Sequence, residues 1–512
     1  MPRDLIERWR VAGTLVARTA IHVGGMVGDP DTDLPLARDG ANRWCIPGTS
    51  LAGAFRAWWE AAFGAKDTAS LWGTVPKKSG SPNDGWASFI IVEDAPLTVP
   101  GGAVELRDGV GIDRIHGAAA DRIKHDRAVL PAGTALGLSI TVEVERKQSR
   151  AEIEAMLAHF LTALAEGRIP LGAGRTRGLG RVALKKDGLL IRRQALEDRK
   201  GILETLRTNG SAVSLDAMDR SGATPAASRR LRIALTWEPL GPVMSRAALD
   251  GLAVDALPLM GREGDTIRPL LTGAGVKGVL RAQAERIVRT LLDLSADGHF
   301  LDQVRVPLVR ALFGDPGETE EPRLGRGALS VEDCYGEWKT DADGHRAMIA
   351  EGKAPGWRAA HHVAIDRWTG GAAEGLLFSV LEPRGVTWRP LVLELDLTRL
   401  DPEETLAALS LLLLVLDDLA AGRLPMGFAG NRGMGAIAVR SIDLEDDGTA
   451  VPSGDDVTAR TDATVRAVLG GLKGRTLDGG LLAHIAGDQR DRLAEAWRSW
   501  IDGAAAKQRG AA

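Results

Sequence analysis

Cysteine is scarce in this chain, and its scarcity excludes several kinds of site. Only two of the 512 residues are cysteines, Cys45 and Cys334, and neither has a CxxC partner or a histidine at metal-ligand spacing. Structural zinc sites and disulfide frameworks need clusters of such residues. We therefore expect a protein of a reducing compartment and no zinc-stapled domain.

Membrane-directing segments and an excess of positive charge are lacking as well. The first residues, MPRDLIERWRVAG, are charged, and no apolar run approaches the ~18 residues of a membrane helix. A cytoplasmic protein is the expectation. The 64 Lys and Arg residues are offset by 68 Asp and Glu residues, for a net charge of -4. Any binding of nucleic acid must therefore rest on local basic clusters.

Glycine and arginine are concentrated in PLGAGRTRGLGRV, which runs from Pro170 to Val182. A dinucleotide-binding turn follows a strand and opens a helix, so that the helix N-terminus holds the pyrophosphate. Here a helical pattern precedes the glycines, with a capping box at Ser149 and Glu152, and a strand pattern follows them. The order is reversed, which argues against a dinucleotide site.

Several segments of the first half of the sequence recur in the second half. GRIPLGAGRTRGLGRVAL from Gly167 returns as GRLPMGFAGNRGMGAIAV from Gly422, and VGIDRIHGAAAD from Val110 returns as VAIDRWTGGAAE from Val363. VED recurs at Val92 and Val331, and GTSLAGAFR from Gly48 has the counterpart GAGVKGVLR from Gly273. Four matches in the same order indicate two copies of one domain, with insertions in the second copy.

Each copy has the predicted element order β-α-β-β-α-β, which is typical of the ferredoxin-like arrangement. We therefore expect an α+β protein of two tandem ferredoxin-like, RRM-like domains. The expected boundaries are 1–207 and 231–450, with a linker at 208–230 and a C-terminal helical extension at 451–512. Long excursions at roughly 66–130 and 295–385 are expected to be functional inserts. In the second copy, Asp401 and Pro402 predict the N-cap and first position of the last helix, and Gly422 its end.

These features resemble the RAMP superfamily, the repeat-associated mysterious proteins. The resemblance rests on IPGTSLAGAFR at the first helix, on IDR before a variable loop and on the glycine-rich loop between the last helix and the last strand. Within the superfamily the chain is most similar to backbone subunits of type III CRISPR effector complexes, here with two copies fused. The resemblance implies that thumb-like inserts wedge a guide-target duplex.

The resemblance also implies metal-dependent cleavage of target RNA by an aspartate in the loop after the first strand. Carried onto this sequence, that residue is Asp33 in the first copy and Asp255 in the second, each shortly before a proline. A divalent ion, Mg²⁺ or Mn²⁺, is the implied cofactor. Asp31, Asp39 and Asp250 are rival positions, and all of these residues can alternatively be loop aspartates that bond their own turns.

Candidate RNA-binding residues lie on the first helices, the inserts and the glycine loops. Cations beside a glycine-opened helix N-terminus can act with backbone N–H groups on a phosphate, and an exposed tryptophan can stack on a base. The arginines of the IDR motifs can instead pair with Asp113 and Asp366 or with the core. The candidates are Arg56, Arg114, His116, Lys124, Arg175, Arg177, Lys277, Arg281, Arg367, Trp368, Asn431 and Arg432.

Three functions remain open at this point. The first is a backbone subunit that holds guide RNA and cuts complementary target RNA at two sites. The second is a scaffold that binds guide RNA without cutting. The third is an endoribonuclease that processes precursor guide RNA. The expected partners are guide RNA, target RNA and other effector subunits, including a large polymerase- or cyclase-like subunit and small subunits, with no membrane.

Overall fold

The chain packs as two compact units. The computed structural model describes residues 3–25, 28, 30, 32–74, 85–248, 250–315, 325–445, 457–477 and 480–511. One unit comprises Met1–Glu105, Ala128–Arg175 and Leu179–Ala227, and the other comprises Leu106–Arg127, Thr176–Gly178 and Ser228–Ala512. Two segments of the first sequence repeat therefore belong to the second unit.

Strands of the first repeat form one antiparallel sheet and a separate hairpin. They are β1 (Leu5–Ala17), β2 (Cys45–Ile46), β3 (Ile90–Val92), β4 (Ala95–Thr98), β5 (Glu105–Ile112), β6 (Ala119–Val129), β7 (Ala135–Glu145), β8 (Val182–Leu184), β9 (Leu190–Ala195) and β10 (Ser211–Val213). β5 pairs only with β6 among the described strands, and we call this pair the first hairpin. In the sheet, β1 lies between β7 and the strands β8 and β9, and β7 also pairs with β3 and β4.

Strands of the second repeat follow the same plan. They are β11 (Arg230–Pro239), β12 (Met260–Glu263), β13 (Thr266–Leu271), β14 (Leu329–Val331), β15 (Cys334–Tyr335), β16 (Arg358–Ile365), β17 (Ala372–Glu382), β18 (Leu391–Asp396), β19 (Ile437–Glu445) and β20 (Arg475–Thr476). The described main sheet has the order β14-β18-β11-β19-β20, and β12, β13 and β15 form a small sheet. β16 and β17 form the second hairpin, Arg358–Glu382.

The described helices lie between and after the strands. They are α1 (Gly48–Phe63), α2 (Ala65–Trp72), α3 (Arg150–Ala165), α4 (Arg199–Thr208), α5 (Gly273–Leu292), α6 (Phe300–Gln303), α7 (Val309–Phe313), α8 (Ala342–Glu351), α9 (Thr405–Ala420), α10 (Val457–Gly471) and α11 (Gly487–Ala511). Helices α1, α3, α5 and α9 lie at the positions that the repeats predict, and the further helices lie between and after them. None of the helices in the described ranges combines the length and apolar character that crossing a membrane requires.

Both units contain the ferredoxin-like core. In the first, the sheet runs β8-β1-β7-β3, with α1 between β1 and β3 and α3 between β7 and β8. In the second, the corresponding run is β19-β11-β18-β14, with α5 and α9 as the connecting helices. A first strand next to the third and fourth strands of the motif is the split β-α-β arrangement. The predicted α+β class is therefore confirmed.

Apolar side chains that alternate along the central strands face the helices. Val11 on β1 lies opposite Ile140 on β7, and both are almost fully buried. Phe55 of α1 meets Phe160 of α3 edge to face, with ring centroids 5.1 Å apart. Such pairing adds stabilisation beyond the buried area. The two helices are thereby fixed against one face of the sheet.

Two sequence-derived boundaries differ from the structure. Helix α9 begins at Thr405, because the Asp401 carboxylate accepts the Glu403 N–H and shapes a turn before the helix. The segment 208–230, expected as a linker, contains β10, which extends the first sheet by pairing with β9. The Ser149 side chain caps α3 as predicted, since it accepts the Glu152 N–H.

An aspartate after the second strand of the ferredoxin-like motif holds the first helix in each repeat. Asp94 accepts the N–H of Gly48 at 2.7 Å, and Asp333 accepts the N–H of Gly273 at 2.8 Å. The two pairs occupy matching positions in the repeats. Asp94 and Asp333 end the two VED segments, and Gly48 and Gly273 open the two matched helices. Asp333 also forms an ion pair with Arg107 of the first hairpin, and the Asp333 side chain is fully buried. The same carboxylate thus fixes a helix and a hairpin in the second unit.

We expect Asp333→Ala to destabilise the protein more than Asp94→Ala does. Asp94→Ala removes one bond at a helix N-terminus, which is worth about 1 kcal/mol. Asp333→Ala also takes the ion-pair partner from buried Arg107, so the expected loss is about 3 kcal/mol or more. Urea unfolding followed by circular dichroism measures both. Equal losses for the two variants would contradict the assigned role of the Arg107 pair.

Candidate nucleic-acid interface

In the second repeat, three elements meet around the base of the second hairpin. They are the loop that carries Asp255, the β17 residues Phe378 to Val380, and the glycine loop that follows α9. Met244, Ala256, Val380 and Met434 form one buried apolar cluster there, and Phe378 and Phe428 pack against it. This cluster places the predicted catalytic loop beside the predicted RNA-binding loop.

The carboxylate of Asp255 is tied to the hairpin base. Its Oδ2 accepts the backbone N–H of Ser379 at 2.7 Å and the Ser379 hydroxyl at 2.9 Å, and the N–H of Asp255 donates to the same hydroxyl at 3.1 Å. The Asp255 side chain is otherwise exposed. The bonds involving Oδ2 leave Oδ1 as the carboxylate oxygen available for a further ligand.

These bonds lower the pKa of Asp255, chiefly through the backbone N–H and then the hydroxyl of Ser379. A hydrogen bond to the charged form favours that form. The resulting stabilisation is therefore present above the ordinary pKa of 3.8 and is lost as the pH falls through the lowered value. Asp255 is an ionised, oriented carboxylate at neutral pH.

Phe378, the neighbour of Ser379 along β17, belongs to a group of aromatic rings and one arginine. The Arg432 guanidinium lies 5.0 Å from the ring centroid of Phe378 and 5.2 Å from that of Phe428. The ring of His362 stacks on the ring of Phe378, with the ring centroids 5.1 Å apart. Arg432 and its neighbour Asn431 are exposed. We call Phe378, Phe428 and Arg432 the arginine-aromatic shelf; it offers both a cation and flat surfaces to a nucleotide.

The glycine loops are close-packed against their own protein. A Cβ at Gly172 would lie 2.2 Å from the carbonyl oxygen of His22, and a Cβ at Gly427 would lie 2.2 Å from that of Met244. Both glycines also have positive φ, at 75° and 84°. At these two positions the lack of a side chain lets another segment of the protein's own backbone come close. This contact anchors each glycine loop to the segment after the first strand.

Asp33 occupies the matching place in the first repeat. It is exposed, and the carbonyl of the next residue, Leu34, accepts the N–H of Ala128 at the base of the first hairpin. In the second repeat the carbonyl of Ala256, the residue after Asp255, accepts the N–H of Leu381 in the same way. His22 is a structural histidine, because its buried ring binds the Ala128 carbonyl at 2.7 Å. The two aspartates therefore share a location at the base of a hairpin.

The rival aspartates have other partners. Asp39 accepts the N–H groups of Ala41 and Arg43 and pairs with the Arg43 guanidinium. Asp250 pairs with Arg246 at 2.6 Å. Asp31 lies outside the described residues. Asp39 thus bonds its own turn, which is the alternative role that the sequence left open for these aspartates. Asp250 makes a surface ion pair.

The predicted cations of the first hairpin are paired within the protein. Arg114 forms an ion pair with Glu285 at 2.5 Å. This is the alternative that the sequence left open for the arginine, in which it pairs within the protein. His116 lies 3.0 Å from Asp113, and Lys124 lies 3.2 Å from Asp108. The last two side chains are largely exposed, and such surface pairs exchange partners at little cost. His116 and Lys124 can reach a phosphate, whereas Arg114 is committed to Glu285.

The predicted cations of the first helices are also engaged. Lys277 is buried, and its Nζ donates to the carbonyl of Leu329 at 2.7 Å. Burial is the main cause that lowers the pKa of Lys277, and the Arg281 guanidinium lowers it further. Arg281 bonds Glu285 and the carbonyl of Gly314. Lys277 points into the protein here, and its contact with phosphate stays a prediction.

The remaining predicted residues lie on surfaces. Arg56 is half-buried and donates to the Trp72 carbonyl at 3.3 Å. Arg175 is half-buried and Arg177 is exposed. At the tip of the second hairpin, Arg367 is exposed and Trp368 is 97% exposed. The structure thus brings Asp255, Asn431 and Arg432 to one region, while Lys277 and Arg281 belong to the core of the second unit.

Sequence reasoning missed Ser379, Phe378 and Phe428. Phe378 and Ser379 come shortly after the matched IDR segment, and Phe428 lies within the matched glycine loop. Their closeness to the matched segments is the signal that could have singled them out. Without the fold, nothing shows that this serine lies beside Asp255.

These residues supply too few ligands for the implied metal ion, so RNA would have to supply further ligands. No group of three or more His, Cys, Asp or Glu residues in the described part of the chain is arranged to hold a metal ion. Mg²⁺ commonly uses one or two carboxylates together with substrate phosphates and water. Asp255, with one carboxylate oxygen left over by Ser379, suits that kind of shared site.

Comparison with known proteins agrees with the repeat structure. A family model described as the RAMP superfamily matches residues 14–183 and 258–438, which together are more than half of the chain. Each matched segment lies in one of the two repeats. None of the curated proteins matches the chain.

We expect Gly427→Ala to destabilise the second unit by about 3 kcal/mol or more, since an added Cβ is strained at positive φ and collides with the Met244 carbonyl. Gly433→Ala is the matched control. Gly433 has a φ of 87° in the same loop, but a Cβ there meets nothing within 4 Å. Its expected loss is about 1 kcal/mol. Thermal or urea unfolding measures both, and similar losses would contradict the anchoring contact.

Proposed function

Since the chain belongs to the RAMP superfamily of CRISPR-associated RNA-binding proteins, we propose that it is a two-copy backbone subunit of a type III effector complex. In this proposal it holds guide RNA and cleaves paired target RNA at two sites. One observation carries the proposal: an exposed aspartate recurs at the base of both hairpins, in the same segment onto which the glycine loop is anchored. A repeated arrangement of this kind suits a polymer with a regular backbone.

Binding of RNA is assigned first to the arginine-aromatic shelf and the tip of the second hairpin. Arg432 is exposed and its guanidinium is in contact with two rings, so it loses little freedom when it binds a phosphate. Trp368 can stack on a base or wedge between neighbouring bases. The small net charge means that these local groups, with His116 and Lys124, supply the electrostatic attraction.

Cleavage is assigned to Asp33 and Asp255. In the proposed step the ribose 2′-oxygen attacks the adjacent phosphorus and the bond to the 5′-oxygen breaks, so the products carry a 2′,3′-cyclic phosphate and a 5′-hydroxyl. Each aspartate orients the strand and accepts the 2′-OH proton, and water donates a proton to the leaving 5′-oxygen. A bound divalent ion would neutralise the charge that develops on the phosphate oxygens. Ser379 fixes the direction of the Asp255 carboxylate.

A non-cutting scaffold is the second candidate. It is favoured by the bonds that Ser379 makes to Asp255, because a carboxylate that closes a loop onto a hairpin has a structural role without any chemistry. For either function the proposed partners are guide RNA, target RNA, a large polymerase- or cyclase-like subunit and small subunits.

We expect Arg432→Ala to weaken binding of single-stranded RNA about five- to tenfold, because it removes one phosphate contact and the cation of the shelf. The slope of log K against log salt should fall in magnitude by about 0.7. Fluorescence anisotropy with labelled RNA at several salt concentrations measures both values. Arg346→Ala is the control, since Arg346 is an exposed arginine of α8 paired with Asp343. Equal effects of the two variants would contradict the shelf as a binding site.

Cut mapping tests the catalytic assignment. The chain is assembled with its partner subunits and guide RNA, and complementary RNA and Mg²⁺ are added. We expect Asp33→Ala to abolish one cut and Asp255→Ala to abolish another, while Asp39→Ala and Asp250→Ala leave both. A single 2′-deoxy nucleotide at a cut should block that cut alone, because the nucleophile is missing.

Full cutting by both Asp33→Ala and Asp255→Ala would refute the catalytic assignment and leave the scaffold function. Loss of both cuts in either single variant would instead mean that the sites do not act independently.

A further inference from the structure

The loop that carries Asp255 lies along one edge of β17, and β16 lies along the other edge. The N–H of Ala256 donates to the Ser379 carbonyl, and the N–H of Leu381 donates to the Ala256 carbonyl, both at 3.0 Å. This backbone pairing is parallel, whereas β16 and β17 are antiparallel and place His361 directly opposite Ser379. The base of the second hairpin therefore has three neighbouring segments, with β17 in the middle.

His361, Ser379 and Asp255 lie in one row across these three segments. Directly opposite residues of paired strands share a face of the sheet, with Cβ atoms ~5 Å apart, so His361 shares the face of Ser379. The Ser379 hydroxyl donates to the Asp255 carboxylate at 2.9 Å, so Asp255 is on that face as well. We call these three residues the hairpin-base row.

The hairpin-base row holds an imidazole and a carboxylate on either side of a short floor. Neighbouring strands are ~4.8 Å apart, so the backbones of His361 and Asp255 are about 10 Å apart. Ser379 between them is small and only 7% exposed, whereas His361 and Asp255 are exposed. The space above the serine can thus take one phosphate of an RNA strand, with a different functional group on each of its sides.

The two outer members of the row differ in what they can do with a proton. Asp255 has a lowered pKa, chiefly because of the Ser379 backbone N–H, and is an ionised proton acceptor at neutral pH. Imidazole is the side chain best suited to donate or accept protons near neutral pH. The His361 side chain forms no hydrogen bond or ion pair within the described part of the chain, so its ring nitrogens are available. The row thus combines a base with a group that can act as an acid.

We propose that His361 is the general acid for the cut assigned to Asp255, where it donates a proton to the leaving 5′-oxygen of the RNA. The bond between the 2′-oxygen and phosphorus forms, the bond between phosphorus and the 5′-oxygen breaks, and Asp255 accepts the 2′-OH proton. His361 ends neutral and Asp255 ends protonated, and proton exchange with water restores both. This inference rests on the cleavage proposed above, in which water protonates the leaving oxygen, and it puts His361 in place of that water at one of the two sites.

The first repeat has no histidine at the matching place. His361 stands two residues before the matched segment VAIDR, and Asp108 stands two residues before its counterpart VGIDR. Asp108 forms an ion pair with Lys124 at 3.2 Å. An ionised carboxylate has no proton to donate, so the inference applies to the Asp255 cut alone. The Asp33 cut is then an internal reference within the same complex.

Cutting of RNA with a sulfur leaving group tests this role. The complex is assembled with guide RNA, complementary RNA and Mg²⁺ as for the cut mapping, and the rate of each cut is measured. We expect His361→Ala to slow the Asp255 cut about a hundredfold, because general acid catalysis contributes about that much or more. Sulfur in place of the 5′-oxygen at that cut should restore the rate to near that of the wild type, since a thiolate leaves without being protonated.

Two controls accompany this measurement. The Asp33 cut should keep its rate in His361→Ala, which shows that the variant is folded and assembled. His299→Ala should leave both cuts at the wild-type rate, because His299 is an exposed histidine that precedes α6 and its side chain does not cap that helix.

An unchanged Asp255 cut in His361→Ala would overturn the inference. A slow cut that sulfur does not restore would overturn it as well, because His361 would then only position the strand. Asp255→Ala in the same assay separates this inference from the proposed function. A cut that needs Asp255 and not His361 overturns the inference alone, whereas a cut that needs neither residue, or a wild-type complex that makes no cut, refutes both.

Discussion

A buried carboxylate at the end of a short strand organises the second unit. Asp333 accepts the first N–H of α5 and pairs with Arg107, so it joins the strand, the helix and a hairpin that comes from the first repeat. An unpaired carboxylate in that position would be strongly destabilising. The ferredoxin-like core and the placement of the first hairpin therefore depend on the same interaction.

Packing of the second unit also engages three of the cations that the motifs predict for RNA. Lys277, Arg281 and Arg114 lie on the matched motifs, yet each is engaged by a carbonyl or carboxylate in the second unit. A motif shared by two repeats can serve packing as well as ligand binding. With a net charge of -4, the proposed attraction for RNA rests on exposed groups such as Arg432.

The sequence predicted the fold well because the fold follows from local patterns and from repetition. Alternation along the strands, the Ser149 cap and the collinear repeats all concern residues that are near in sequence or aligned between copies. The prediction was weaker where a side chain chooses among partners. Asp401 was expected to cap α9, but it forms a turn before Thr405. Both outcomes satisfy backbone N–H groups, and only tertiary packing decides between them.

The same limit applies to the site. Asp33 and Asp255 could be located from their motif, but Ser379 could not be connected with Asp255 from a separation of 124 residues. Asp255 keeps one orientation because two donors on one residue hold one of its oxygens. The hairpin brings those donors to the loop, and the loop's own sequence carries no sign of them. Orientation of this carboxylate is thus a property of the folded repeat, whereas the presence of the carboxylate is a property of the motif.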